Sequence, residues 1–268
     1  MSDKPSSLAD VLAYLGEIGY GDLYLGPEAA AALASPASSL VPGGLGGAGE
    51  AAGTPEPAEP HPSHSSEAAL RAPLAGGGAA GLAEREAELA RLQAAVARCT
   101  RCRLCDGRNQ TVFGSGRAGA ELMFIGEGPG AEEDRQGLPF VGRAGELLTR
   151  IIQAIDRRRD EVYIANIVKC RPPGNRDPQP DEVSACRSYL ERQIELVQPK
   201  AIVALGRIAA QTLLGNDSPI GRMRGQWFRV LGVPTMVTYH PAALLRNPAL
   251  KRATWEDMQQ VRDRLAGR

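Results

Sequence analysis

The chain has 268 residues, enough for one full α/β domain with an appendage. Its 31 Lys/Arg and 31 Asp/Glu balance overall, yet residues 1–98 hold 5 basic against 12 acidic side chains and residues 99–268 hold 26 against 19, which suits a nucleic-acid partner for the second part. No long uncharged apolar run is present to cross a membrane, and residues 1–10 lack the basic-then-apolar pattern of a secretory signal.

Residues 7–25 place Leu8, Val11, Leu12, Leu15 and Ile18 at helical spacing, which predicts a short helix too small to fold alone, within an N-terminal segment of residues 1–30. Residues 31–82 are dominated by Ala, Gly, Pro, Ser and Glu and carry too little apolar surface to offset ordering entropy, so a disordered linker is expected there. A folded domain is expected over 83–268. Leu89, Leu92 and Val96 mark a helix leading into the cysteines.

Beyond Glu121 the pattern alternates. Strands are predicted over 122–125, 162–168, 201–205, 227–230 and 235–239. Helices are predicted around the apolar face of Leu147, Leu148, Ile151, Ile152 and Ile155, and over 183–196, 207–214 and 254–265. Such alternation implies a three-layer α/β/α fold around a mostly parallel central sheet. Ligands of open α/β sheets sit at the carboxyl ends of the strands. That directs attention to Gly126, Asn166 and His240, each at or just past a predicted strand end.

The five cysteines fall between Cys99 and Cys186. Cys99-x2-Cys102-x2-Cys105 is a compact triple, with Cys170 and Cys186 distant in sequence. An odd, clustered set argues for metal ligands rather than disulfides. Zinc and an iron–sulfur cluster both accept four thiolates, and spacing does not choose between them. One cysteine is surplus: Cys105 is either a neighbour or a substitute for Cys186.

Several motifs, in order, resemble family 4 uracil-DNA glycosylases. These are Cys99-Thr100-Arg101-Cys102-Arg103-Leu104, Gly126-Glu127-Gly128-Pro129-Gly130 with Glu132-Glu133-Asp134, and Gly137-Leu138-Pro139-Phe140-Val141-Gly142. Asn166-Ile167-Val168-Lys169-Cys170-Arg171-Pro172-Pro173, Asn175-Arg176, and His240-Pro241 with Leu244-Leu245-Arg246-Asn247-Pro248 continue the match. The resemblance covers the chain from about Cys99 to its end. It implies a uracil-DNA glycosylase fold and activity, and a structural 4Fe–4S cluster on Cys99, Cys102, Cys170 and Cys186, leaving Cys105 as the extra. It also implies a uracil-stacking aromatic at Phe140, and a loop of Leu244, Leu245 and Arg246 entering the DNA minor groove. A place in the cytoplasm, at the nucleoid, follows from such an activity.

The residue types fit that chemistry. A uracil must leave the duplex before it can be reached. Phe140 can stack on the ring. The Asn166 amide, one acceptor and a donor pair, matches uracil N3–H and O4 and opposes cytosine. His240, the one imidazole of the second part of the chain, and backbone N–H groups of the 126–130 loop can face the anion growing on O2, and Gly128 and Pro129 of that loop are expected to contact uracil. Glu127 is the favoured residue for positioning water and Glu133 the second choice, since some relatives carry Asp where Gly128 stands here. Arg143, Lys169, Arg171, Arg176, Arg222 and Arg224 are further phosphate candidates. The glycine-rich turn does not fit a nucleotide-binding loop, because no Lys-Ser/Thr follows.

Two other functions compete: a uracil-reading DNA-binding module that is non-catalytic or becomes covalently trapped, and an adaptor that recruits a repair or replication partner through residues 1–98.

Overall fold

The computed structural model describes residues 79–268; the helix expected over 7–25 and most of the linker expected over 31–82 lie outside the described residues. Helix α1 (Ala79–Ala97) starts four residues before the expected boundary. The glycine run 76–78 ends there, and two alanines, the best helix formers, follow. Leu89, Leu92 and Val96 are buried, as their spacing predicts. A 3-10 turn (Arg103–Cys105) carries the chain past the clustered cysteines.

The remaining elements are β1 (Leu122–Gly126), α2 (Ala131–Gln136), α3 (Arg143–Ala154), β2 (Tyr163–Asn166) and α4 (Pro180–Val197). They continue with β3 (Ala201–Leu205), α5 (Arg207–Leu214), α6 (Ile220–Met223), β4 (Trp227–Val230), β5 (Val233–Thr238), α7 (Pro241–Arg246) and α8 (Leu250–Leu265). The sheet order is β2-β1-β3-β5-β4, parallel except for the edge hairpin β4–β5. That hairpin closes through Leu231 and Gly232, both at positive φ, as a two-residue turn between twisted strands requires. β1 and β3 are buried along their whole length. They read as continuous apolar runs because helices cover both faces of a parallel sheet. α1 and α4 pack against the face that carries Met123, Ile125 and Ile202. Among the described residues no helix is long and apolar enough to cross a membrane.

Several boundaries differ from the sequence expectation: α4 begins three residues early at Pro180 and β5 two residues early at Val233. β2 stops at Asn166, two residues early, although Ile167 N and Val168 N still donate to Gly126 O and Glu127 O. α8 begins at Leu250, four residues early. Residues 241–246, expected as a loop, form α7: Pro241 occupies the first helical position, and the His240 side chain accepts from Ala242 N as the cap.

Candidate active site

β1 and β2 run parallel in a register that pairs Gly126 with Asn166 at their carboxyl ends. Gly126 must be bare. A Cβ there would lie 2.5 Å from Asn166 Oδ1 and 2.6 Å from Phe140 Cζ, so the amide and the ring tip converge on one point. The Phe140 and His240 rings face each other at 5.5 Å between centroids and 31° between planes. Asn166, Phe140 and His240, far apart in sequence, are therefore brought to one place above the carboxyl ends of β1 and β2. His240 reaches it because Gly206, at φ 90°, leaves room where a Cβ would come within 2.8 Å of the His240 Cβ.

Two features of this group suit it to a ligand. Asn166 is 1% exposed, and its Oδ1 has no hydrogen-bond partner. A buried acceptor without a partner costs roughly 1–3 kcal/mol, so a ligand donor is the natural complement. His240 Nδ1 accepts from Ala242 N at 3.1 Å. That bond fixes the neutral tautomer with its proton on Nε2. Burial first, and Arg246 second, pull the imidazole down to about 4, so it is neutral at physiological pH.

The acidic residues divide into distinct roles. Glu127 follows Gly126 directly, and burial, with Asp177 nearby, raises its carboxyl to about 7. Glu133, the second choice for water, has both oxygens committed: Oε2 accepts from Gly130 N, and Oε1 accepts from Val141 N at 2.9 Å and Gly142 N at 3.1 Å. It ties the glycine-rich turn to the Phe140 loop, and the Gly130 N–H is unavailable to a ligand. Asp134 is buried against Asn109, while Glu132 is exposed beside Arg135. Gly128 lies against Val168: a Cβ at 128 would approach Val168 Cγ2 to 2.9 Å, so the Asp of some relatives would displace that valine. Pro129 is buried beside it.

Several expected DNA contacts need correction. Leu244 is 1% exposed and belongs to the core on the inner face of α7, whereas Leu245 is 37% exposed. A helix turns adjacent side chains about 100° apart, so only one of the pair is presented. Arg246 is exposed at the end of α7. Lys169 is buried and donates to Asn166 O at 2.8 Å and Gln193 Oε1 at 2.5 Å, so it is a structural cation rather than a phosphate ligand. Gln193 continues this network to Phe113 O and Tyr163 Oη. Arg176 pairs with buried Glu182, and Arg224 with buried Asp257. Arg143 and Arg222 are exposed; Arg171 is half-buried and donates to Asn175. The sequence held no cue to the burial of Lys169, since it sits within a run of motif residues of mixed exposure.

All five cysteines line a second pocket, between the end of α1, the segment after β2, and α4. Cys170 Sγ accepts from Arg108 Nη1 at 3.3 Å. Burial pushes the Cys186 thiol up to about 12. Cys105 donates its thiol to Asp106 at 3.2 Å. Among the described residues no three His, Cys, Asp or Glu side chains lie close enough to hold a single metal ion.

Comparison with known proteins adds an independent line. Residues 113–259 match the model of the uracil DNA glycosylase superfamily. A type-4 uracil-DNA glycosylase of Sulfurisphaera tokodaii is 45% identical over 174 residues, 62% of this chain and 79% of that protein. The type-4 enzyme of Saccharolobus solfataricus is 45% identical over 179 residues, 63% and 83% of the two chains. That of Thermotoga maritima is 45% identical over 168 residues, 61% and 88%.

Proposed function

This chain belongs to the uracil DNA glycosylase superfamily, and on that premise we propose that it is a type-4 uracil-DNA glycosylase that hydrolyses the bond between uracil and deoxyribose, initiating base excision repair. One observation carries the reading: a buried, unpartnered Asn166 Oδ1 beside the Phe140 ring and a neutral His240. Uracil is extruded from single- or double-stranded DNA and slides against Phe140. Asn166 Oδ1 accepts from N3–H and its amino group donates to O4. Cytosine, with an unprotonated N3 and an amino group, would set acceptor against acceptor and donor against donor.

As the N1–C1′ bond breaks, electrons move onto the base and negative charge gathers at O2. The His240 Nε2–H donates to that oxygen. A neutral donor suffices, and the Ala242 bond presents the correct tautomer before substrate arrives. Glu127 positions the water that completes the hydrolysis, since an electron-poor sugar needs an oriented nucleophile more than a strong base. Leu245 fills the space left by the flipped base, and Arg246 meets phosphate.

The cysteine pocket fits a 4Fe–4S cluster held by Cys99, Cys102, Cys170 and Cys186. Four thiols line one pocket, and such a cluster takes four thiolates. Such a cluster would cross-link α1, the segment after β2, and α4, and loading it would release protons from the desolvated thiols. Cys105 is the extra, turned to Asp106. The enzyme works on cytoplasmic, nucleoid DNA. The acidic residues 1–98 offer a tether for a repair or replication partner, and deleting residues 1–78 is expected to leave uracil release on short DNA unchanged.

The test is a release assay. Cluster-loaded protein is incubated with a single-stranded oligonucleotide carrying one deoxyuridine, and with its U:G and U:A duplexes. Free uracil and an alkali-labile site are expected. Binding without release would make the protein a uracil-reading module, and a stable adduct on a denaturing gel would make it a trapping relative.

A further inference from the structure

Phe140 has φ 52°, a conformation that costs a non-glycine residue of order 1–3 kcal/mol and persists only where its surroundings over-determine it. The anchors are visible on both sides. Glu133 Oε1 holds the two N–H groups that follow, Val141 and Gly142. Gly145 leaves the space that the Phe140 carbonyl occupies; a Cβ there would lie 1.8 Å from Phe140 O. On the preceding side the anchor comes from outside the motif. Arg159, half-buried on the 3-10 turn Arg159–Glu161, donates through Nη2 to Pro139 O at 2.7 Å and through Nη1 to Thr149 Oγ1 at 3.1 Å. Thr149 Oγ1 in turn donates to Gly145 O at 3.0 Å. One guanidinium thus joins the peptide before Phe140 to the α3 turn beneath it.

We propose that Arg159 is a positioning residue for uracil binding: its forked bonds to Pro139 O and Thr149 hold the Phe140 loop so that the ring presents a fixed face to the base. This rests on the glycosylase reading of the site and adds to it a specificity element outside the sequence motifs. The fork is what matters. A lysine offers one compact charge and cannot span both acceptors in the same fixed geometry. Neighbouring Arg158 is exposed, bonded to Asp160, and serves as a control.

The experiment is a double-mutant cycle on the cluster-loaded, full-length protein. It reads inhibition by free uracil, and kcat and KM on a single-stranded deoxyuridine oligonucleotide, for wild type, Arg159→Met, Arg159→Lys, Thr149→Val, Phe140→Ala and the Arg159→Met/Phe140→Ala pair. Arg159→Met is expected to weaken uracil inhibition about tenfold, Arg159→Lys nearly as much and Thr149→Val about threefold, while adding Arg159→Met to Phe140→Ala changes it by less than about twofold. Arg158→Met leaves it unchanged. If the effect of Arg159→Met is as large without the Phe140 ring as with it, or if uracil inhibition stays at the wild-type value, the proposal is overturned. Thermal melting identifies any variant that does not fold, and in that event Thr149→Val with Phe140→Ala supplies the same cycle. Wild-type release is measured first. No release overturns the glycosylase reading itself, whereas release with additive effects overturns only the role of Arg159.

Discussion

The proposed base cavity and the cysteine pocket lie on the same framework but treat polar groups in opposite ways. Around the base, the protein fixes a strained Phe140, a tautomer-locked His240 and an Asn166 acceptor with nothing to bond. Glu133 and Arg159 hold the Phe140 loop, the Ala242 amide holds His240, and Lys169 bonds the Asn166 carbonyl. Around the cysteines the thiols are desolvated, with Arg108 and the Lys169–Gln193 network beside them. A catalytic cavity is finished before its ligand arrives and leaves groups open for it. A cluster pocket is completed by its ligand, which becomes part of the fold. Substitutions in the first should cost rate with stability intact, and those in the second should cost stability first.

The sharpest break of that contrast is His240→Ala. Losing a donor aimed at the departing charge is expected to lower kcat by about 10²–10³-fold. The melting temperature should fall by no more than a few degrees, for the lost cap of α7, and the broad absorption near ~400 nm of the proposed iron–sulfur centre should persist. Loss of that absorption in His240→Ala would show the two regions to be one cooperative unit. Cys170→Ser is the converse. It is expected to abolish the ~400 nm band and to lower the melting temperature by about 10 °C, because a structural metal's binding energy is folding energy. A melting curve of wild-type shape would remove the cluster from the fold.

Acidity distinguishes residues within the base cavity. Glu127 titrates near 7, above the ordinary carboxyl range, because burial opposes its charge. If its anion orients water, kcat rises with pH through about 7, and Glu127→Gln flattens that limb. The raised value also means that its contribution to folding is full below the ordinary carboxyl range and is lost as pH rises toward 7, so Glu127→Gln should unfold at higher temperature than wild type at pH 8. His240 runs the other way. Its depressed value means stability that is complete above the usual imidazole range and lost as pH falls toward 4, and the residual catalysis of Glu127→Gln, freed of the carboxyl limb, should hold down to about that pH. A rate that collapsed between pH 7 and 6 in Glu127→Gln would contradict the assignment of a neutral imidazole.

The smallest effects separate the two leucines of α7. Leu244→Ala removes a buried side chain and should cost about 2–5 kcal/mol of stability. Leu245→Ala should leave the melting temperature within a degree or two and slow release severalfold from duplex DNA, with little change on single strands, where no hole needs filling. Equal effects of Leu245→Ala on both substrates would remove it as the wedge.

Much of this was legible in the chain. Apolar runs at strand length, helical spacing from Leu147 to Ile155, and the exact bounds of β3 and α5 all follow from local pattern, because parallel strands buried on both faces must be continuously apolar. Motifs located Asn166, Phe140, His240 and the cysteines. Local pattern could not separate Leu244 from Leu245, since an apolar pair reads alike until a helix assigns its faces. Nor could it separate Lys169 from the surface arginines, since its ammonium is hydrogen-bonded to Gln193, 24 residues along the chain.

The sequence by itself determined the five strands, the longer helices and which residue types stand at the strand ends, because those depend on periodicity and composition within a few turns of chain, whereas the short helices α2, α6 and α7 did not emerge from it. Tertiary structure alone decided that Glu133 braces a loop instead of serving water, that Lys169 is interior, and that Arg159 supports Phe140. Each depends on which distant backbone groups come within about 3 Å, and hydrogen bonding at that range is set by the packing of the whole sheet and its helices.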